Sequence, residues 1–312
     1  MKIAIISLGS ESSKMTATAL MKYFDQVDHL NLKNIEINLG KNPQVLHNGI
    51  PITGYDCIYA KGSFRFVQML RAITTAMHDE AYTPYKPWSY TIGHDKFLTH
   101  LQMQKNNVPM PNTYFASTES NTKEILEKIS YPVVLKLPSG TQGKGVMFAD
   151  SFSSASSMLD ALSSLKVPFL IQEYVECNET DIRAFVVGNE VVACMKRKAE
   201  KGEKRANIHA GGIGEHYELD NYSKKIAIKA AESIGAEICG VDILESVKGP
   251  VVIEVNVSPG LQGITDVTKV DVADKIAKYL ADKTKEFMTT KKKEGVENVM
   301  DDLGVDKLEV KK

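Results

Sequence analysis

Two apolar runs late in the chain, Ile238-Cys239-Gly240-Val241 and Val251-Val252-Ile253, lead into acidic and amide side chains that a buried strand does not hold alone. Side chains two apart on a strand share one face, so Glu254 and Asn256 point the same way. With a turn centred near Lys248, Asp242 falls directly across from Glu254 on the neighbouring strand, where opposed Cβ atoms lie ~5 Å apart. Two carboxylates so placed between apolar flanks repel each other unless a cation or a proton separates them. Oxygen-only donors suit a hard cation, and one or two carboxylates plus substrate phosphates is the usual way Mg²⁺ is held. The alternative is that both acids stand on a solvated face, with the hairpin at a domain edge.

A second constraint is the loop Pro138-Ser139-Gly140-Thr141-Gln142-Gly143-Lys144-Gly145 between apolar strands expected at 132–137 and 145–149. It turns a hairpin rather than opening a helix, which excludes the helix-opening G-x-x-x-x-G-K-[ST] phosphate loop, whose spacing is also missing. Glycines there let the backbone approach a ligand, and free N–H groups in such a turn form an anion nest. A flexible hairpin tip is the competing reading. Cations stand in apolar or ordered contexts around it. Lys136 ends the run Val133-Val134-Leu135, a costly place for an unpaired lysine. Lys96 begins a helix after Asp95. Arg183 follows Asp181, its candidate ion-pair partner, and Arg197 and Arg205 flank a polar loop over 199–215. Taken together with the glycine loop and the hard-metal set, these cations point to a nucleoside triphosphate held between two α+β domains.

Composition narrows the function classes. A chain of 312 residues corresponds to about two domains of ~150. Its 43% hydrophobic and 25% charged residues exclude a collagen-like, coiled-coil or wholly disordered chain. Lys plus Arg number 38 against 39 Asp plus Glu, whereas a nucleic-acid binder normally carries a basic excess, so nucleic acid is not expected as a ligand. Cys57, Cys177, Cys194 and Cys239 are scattered and read as reduced thiols of a cytoplasmic protein. The apolar start Ile3-Ala4-Ile5-Ile6 is too short for a signal peptide, and no run approaches the ~18 apolar residues of a membrane span.

The order of elements divides the chain. A strand at 2–8, a helix at 13–24, a strand near 30–39, a hairpin turning at Asn48-Gly49, a strand at 57–60 and a helix at 63–78 alternate as in an open α/β domain with a mostly parallel sheet. That domain spans 1–92 and exits through Thr83-Pro84-Tyr85-Lys86-Pro87. Residues 93–168 form an α+β unit around the glycine loop. Residues 169–288 form a second, with strands at 182–187 and 190–197 meeting at Gly188-Asn189, a helix at 221–234, the late strand pair and a last helix near 271–288. Residues 289–312 read as a charged, mobile tail.

In this order, Lys96, Lys136, S-G-T-Q-G-K-G, Q-E-Y-V, D-I-R, R-x-N-x-H, G-V-D-I and E-V-N-V-S-P-G resemble the ATP-grasp carboxylate–amine ligases, and among them the RimK-type α-L-glutamate ligases. The likeness covers about 94–282 and implies an ATP-grasp fold, with residues 1–92 as the domain that precedes it. It implies that Lys96 and Lys136 contact ATP phosphates, with Lys136 also near the adenine, that Gln172, Glu173, Tyr174 and Val175 form an interdomain hinge whose backbone reads the adenine edge, and that Asp181 accepts from the ribose hydroxyls. Gly140, Gln142 and Gly143 would close over the phosphates. Asp242, Glu254 and Asn256 would hold Mg²⁺ or Mn²⁺, as two ions. Arg205 and Asn207 would lie near the γ-phosphate and the acyl intermediate, with Arg183 as a further catalytic candidate. The implied reaction joins L-glutamate to an acceptor carboxylate through an acylphosphate. The acceptor would be a protein C-terminal glutamate or a coenzyme glutamyl tail, with an amino-group carrier protein of lysine or arginine synthesis as the alternative. A nucleotide-binding regulatory module without turnover is the alternative of another class. Relatives commonly assemble, so a homo-oligomer is expected. Two departures stand out: Lys144 occupies an apolar slot of the family's loop, and His209-Ala210-Gly211-Gly212 lacks the arginine common before the paired glycines.

Overall fold

β-Branched and aliphatic residues at Ile3, Ile5 and Ile6 make the first strand a core strand, buried on both faces, as a central parallel strand requires. The computed structural model describes residues 1–41, 44–116, 118–138, 140, 145–198 and 213–302, with 292–302 as backbone. Strand β1 (Lys2–Ser7) leads to α1 (Glu11–Leu20), whose first turn is capped by the Ser10 side chain. β2 (Gln26–Asn31) and β6 (Cys57–Ala60) flank β1 in parallel, giving the order β2-β1-β6. Between them β3 (Ile35–Asn38), β4 (Gln44–His47) and β5 (Ile50–Pro51) form a separate antiparallel sheet. The strand expected near 30–39 is therefore two strands. A short 3₁₀ turn at Leu32–Asn34 divides them, fixed by the Asn31 side chain accepting the Lys33 N–H at 3.0 Å. The Asn48-Gly49 hairpin forms as expected, with both residues at positive φ.

After α2 (Val67–Met77), a short helix, α3 (Ser89–Gly93), and α4 (Lys96–Lys105) carry the chain across to the second layer. There β7 (Thr113–Tyr114), β8 (Val133–Lys136), β9 (Val146–Ala149) and β10 (Leu170–Glu173) make an antiparallel sheet of order β7-β10-β8-β9. Helices α5 (Glu119–Lys128) and α6 (Phe152–Ser164) cover it, α6 beginning with a Ser151–Ser154 capping box. Leu126, Val133, Leu135, Leu159 and Ile171 form a small core of their own there.

The third layer is a five-stranded antiparallel sheet of order β13-β12-β11-β14-β15. Its strands are β11 (Thr180–Val187), β12 (Glu190–Lys198), β13 (Ile213–His216), β14 (Ile238–Ser246) and β15 (Gly249–Asn256). Helices α7 (Asn221–Ser233) and α8 (Gln262–Thr268) pack on it, while α9 (Val272–Asp302) returns the chain to α1 of the first layer. The last helix thus runs past 288 into the segment expected as a tail. Its burial joins the first and third layers into one large core that includes Ile5, Ile58, Val241, Val252 and Ile276. The Tyr85 hydroxyl lies 2.8 Å from both the Ile238 and Val257 carbonyls, so one proton from the first layer serves two acceptors of the third. No described helix is long and apolar enough to cross a membrane.

Candidate active site

The register of the late strand pair is the one the sequence implies: Asp242 stands opposite Glu254, and Gly240 opposite Asn256. All three polar side chains border one cleft between the five-stranded and four-stranded sheets. Val134, Val146 and Phe148 from the four-stranded sheet and Leu244 and Ile253 from the five-stranded one supply apolar walls, with Phe148 set edge-on to Tyr174 at 6.2 Å between ring centroids. Flat apolar walls with polar groups at one end suit a base with a charged tail.

Asp242 is buried and sits in a balanced chain of charges. Arg183 pairs with it through Nε to Oδ1 and, at 2.8 Å, Nη2 to Oδ2. Arg197 Nη2 lies 3.1 Å from Asp242 Oδ1 and grips Asp181 through Nε at 2.5 Å and Nη2 at 2.8 Å. So Arg183 pairs with Asp242, not with Asp181 as its sequence neighbourhood suggests. The reason is cross-strand register: Asp181 faces Arg197 and Arg183 faces Asp242. Burial works against the charge on Asp242, yet the two guanidinium groups hold its carboxyl below the ordinary range. Burial pushes Asp181 up to about 6 despite Arg197 beside it. Two acids against two bases leave no net charge, which is what makes such burial tolerable.

Glu254 and Asn256 keep donors toward the cleft. Asn256 Nδ2 is buried with no partner among the described residues. Turning the amide by half a turn places Oδ1 where the nitrogen stands and presents an oxygen instead of a donor. A carboxylate and an amide oxygen beside an ionised Asp242 fit a hard divalent cation. Among the described residues no three His, Cys, Asp or Glu side chains cluster as a metal site, so such an ion would depend on Asn256 and on substrate oxygens.

Lys96 joins the parts. Its Nζ lies 3.6 Å from Glu254 Oε1 and donates to the Gly140 carbonyl at 3.3 Å, while its N–H donates to the Pro138 carbonyl. The helix that carries it is capped by Asp95, which accepts from the Leu98 N–H. The base of the glycine hairpin and the acidic strand are thereby tied to one ammonium. Gly145 closes the hairpin at φ +80°, with a Cβ there falling 2.8 Å from Leu137, so only glycine fits. Gln142, Gly143, Arg205 and Asn207 lie outside the described residues.

Lys136 is buried, donates to Gln172 Oε1 at 2.6 Å, and burial pushes it down to about 8. Gln172 Nε2 in turn faces His100 Nε2 at 2.9 Å and Thr113 Oγ1 at 2.8 Å. His100 Nδ1 is 2.7 Å from the Lys96 carbonyl and must carry the proton, since a carbonyl can only accept. Its Nε2 therefore accepts from Gln172. Burial, aided by Lys136, pushes His100 down to about 4 and keeps it neutral. Both polar ends of the Gln172 side chain are thus engaged, Oε1 by Lys136 and Nε2 by His100 and Thr113, so within the expected hinge its side chain is not free to read a base. Glu173 offers its carboxylate to Asn112 Nδ2 at 2.8 Å. His100 was not singled out from sequence, because a histidine on an amphipathic helix carries no local mark of its partners.

A second cavity, of about 410 Å³, opens on the other side of Lys96, Glu254 and Asn256. It is lined from the first layer by Ser10, Lys61 and Gly62, and by His94 at the start of the crossover. Sequence reading passed over Lys61, although Cys57-Ile58-Tyr59-Ala60-Lys61 repeats the signal that drew attention to Lys136: a lysine ending an apolar strand.

Residues 93–280 match the model of the RimK-like ATP-grasp domain. The chain belongs to the RimK-like ATP-grasp family. It is 37% identical over 248 residues to a probable alpha-L-glutamate ligase of Legionella pneumophila, covering 78% of this chain and 82% of that one. It is 34% identical to the probable alpha-L-glutamate ligase 1 of Pseudoalteromonas atlantica, covering 93% and 98%. Among solved structures it resembles the ATP-grasp ligase PsnB, complexed with a phosphomimetic variant of its minimal precursor, Mg and ADP, with a TM-score of 0.72 and 14% identity over 91% of this chain and 98% of that one. A RimK domain ATP-grasp protein from Sphaerobacter thermophilus gives 0.69 and 16% over 89% and 99%. The three layers are an ATP-grasp fold, and the chain is an ATP-dependent carboxylate–amine ligase of the RimK-like family.

Proposed function

We propose that this ATP-grasp ligase joins L-glutamate, or a similar amino acid, to an acceptor carboxylate, by way of an acylphosphate. The observation that carries the reading is the meeting of two cavities at Lys96, Glu254 and Asn256: one has the apolar walls of a base site, the other admits a polar substrate. Relatives named as alpha-L-glutamate ligases supply the amino acid. The acceptor is then a protein C-terminal glutamate or a glutamyl-tailed coenzyme, and an amino-group carrier protein keeps the same chemistry.

In this reading adenine lies between Phe148 and Leu244 beside Glu173, Tyr174 and Val175, with Asp181 near the ribose. Lys136 and Lys96 neutralise the phosphates, and Gly140, Gln142 and Gly143 cover them. A divalent ion, Mg²⁺ or Mn²⁺, held by Glu254, Asn256 and Asp242, would supply charge neutralisation on the triphosphate. No side-chain nucleophile is called for. The protein brings two anions together against their repulsion, and fixed cations do that best where water is excluded. Arg205 and Asn207 are proposed at the transferring phosphoryl group, and Arg183 acts by holding Asp242 ionised. Residues 1–92 are proposed as the domain before the ATP-grasp core, 93–168 and 169–288 as its two halves, with 289–312 as an appended tail. A cytoplasmic homo-oligomer completes the proposal.

The test is incubation of the purified protein with ATP, Mg²⁺, L-glutamate and candidate acceptors, followed by mass spectrometry. A repeated glutamyl mass increment on one acceptor is expected. ADP release that needs neither an acceptor nor an amino acid removes the reading.

A further inference from the structure

Lys61 directly follows β6 and is only 5% exposed. Its N–H donates to the Ile6 carbonyl at 2.9 Å, so the backbone is fixed by the parallel sheet. The next residue is fixed as well: the Gly62 N–H donates to Ser258 Oγ at 3.2 Å, and a Cβ on Gly62 would fall 2.8 Å from Leu32. From this fixed backbone the Lys61 side chain lines the cavity that Glu254 and Asn256 also line. Among the described residues it has neither an ion-pair nor a hydrogen-bond partner, and the Tyr59 ring centroid lies 6.0 Å from its Nζ. Lys136 makes the contrast. It is buried to a similar degree, yet has Gln172 Oε1 at 2.6 Å.

A buried ammonium without a counter-charge is unfavourable, and burial pushes Lys61 down to about 8. A second group on the same wall is also unsatisfied. His94 Nε2 is buried with no partner among the described residues, and burial holds the ring neutral by pushing it down to about 4. One positive charge and one neutral imidazole match an anion of single charge with two oxygens. Lys96, which both cavities share, and Gly140, which lines this one, are the groups that suit phosphate oxygens, whereas Lys61 and His94 line this cavity alone.

We infer that Lys61 anchors a non-reacting substrate carboxylate in the cavity beside Glu254 and Asn256, with His94 completing its hydrogen bonds. The inference rests on the ligase reading and adds a specificity residue from the first layer, outside the matched 93–280 segment. It also gives that layer a task in the site: the third layer holds the reacting end of the substrate, and the first holds its fixed end. The carboxylate belongs either to the incoming amino acid or to the acceptor.

The test uses the full chain loaded with Mg²⁺ and a non-hydrolysable ATP analogue, titrated calorimetrically with L-glutamate, L-glutamate α-amide and the dipeptide Glu-Glu. Lys61→Met is expected to weaken binding by about tenfold or more, and Lys61→Arg to restore most of it. If Lys61 holds the α-carboxylate of the incoming amino acid, the α-amide should bind the wild-type protein as weakly as L-glutamate binds Lys61→Met. Dependence on Lys61 with L-glutamate assigns the carboxylate to the incoming amino acid; dependence with the dipeptide alone assigns it to the acceptor. Nucleotide-free Lys61→Met should melt at or above the wild-type temperature, because a buried unpaired charge has gone. A variant that melts lower and binds both probes as the wild type does makes Lys61 a structural residue and overturns the inference. If both probes bind without any Lys61 dependence, only this assignment falls. If the wild-type protein binds neither, the glutamate reading falls and takes the assignment with it.

Discussion

The described residues form two hydrophobic cores of unequal size, and the proposed active site lies between them. The larger fuses the first layer with the five-stranded sheet, from Ile3 and Ile58 through Val241 to Ile276 and Leu280. The smaller belongs to the four-stranded sheet and its two helices, around Leu126, Leu135, Leu159 and Ile171. Asp242, Glu254 and Asn256 stand on the large one, and Lys136 with the base of the glycine hairpin on the small one. Groups proposed to hold a metal must keep their geometry, and a strand backed by a large core provides that. Groups that close over a nucleotide must move, and a small core opens at lower free energy. The cleft thus has a fixed floor and an adjustable roof, with Lys96 touching both.

Four measurements sharpen or break this contrast. Glu254→Gln, on the floor, should have the largest effect: turnover falls by about 100-fold or more while the melting temperature stays near wild type. Near-normal activity in that variant would refute the metal role. Leu159→Ala, under the roof, should cost about 2–5 kcal/mol. Hydrogen exchange should show the loss confined to residues 119–173; equal loss of protection at β1 and β14 would make the two cores one cooperative unit. Acid should act on the roof next. The fold lowers His100 from the ordinary 6.5 to about 4, so the neutral ring is the form it favours. That contribution, at most about 3 kcal/mol, is complete above pH ~6.5 and is lost as pH falls toward ~4. Exchange of β8 and β10 should follow that curve, and His100→Met should flatten it. The smallest effect is expected of Lys136→Met, with nucleotide affinity down about tenfold as one charge contact goes. Its stability should barely change, since removal of a buried charge offsets the Gln172 oxygen left unpaired.

The fold was legible where the signal was local. Alternation of strands and helices gave the first layer, Asn48-Gly49 gave its hairpin, and the turn near Lys248 set Asp242 against Glu254. Short or long-range features were not. Helices α3 and α8 span 5 and 7 residues, too few to show a period. Strand β13 sits in a polar stretch and exists because β12 offers it an edge. The strand near 30–39 was split by an Asn31 turn that has little hydropathy signature. In the site, Lys96 and Lys136 stood out by their apolar or capped settings, whereas the Arg183–Asp242–Arg197–Asp181 chain depends on the register of three strands. His100 was hidden for the same reason, since its partners come from β10 and from its own helix.

The shared proton of Tyr85 has a consequence for anyone recombining this chain with its relatives. Two carbonyls from the far end of the polypeptide depend on one phenol supplied near residue 85. A chimaera that imports a foreign amino-terminal segment without a tyrosine in that spot strands both acceptors in a dry interior. Crossovers placed after residue 90, carrying the phenol along with the donor segment, should tolerate the swap only when the recipient strands present the same pair of oxygens.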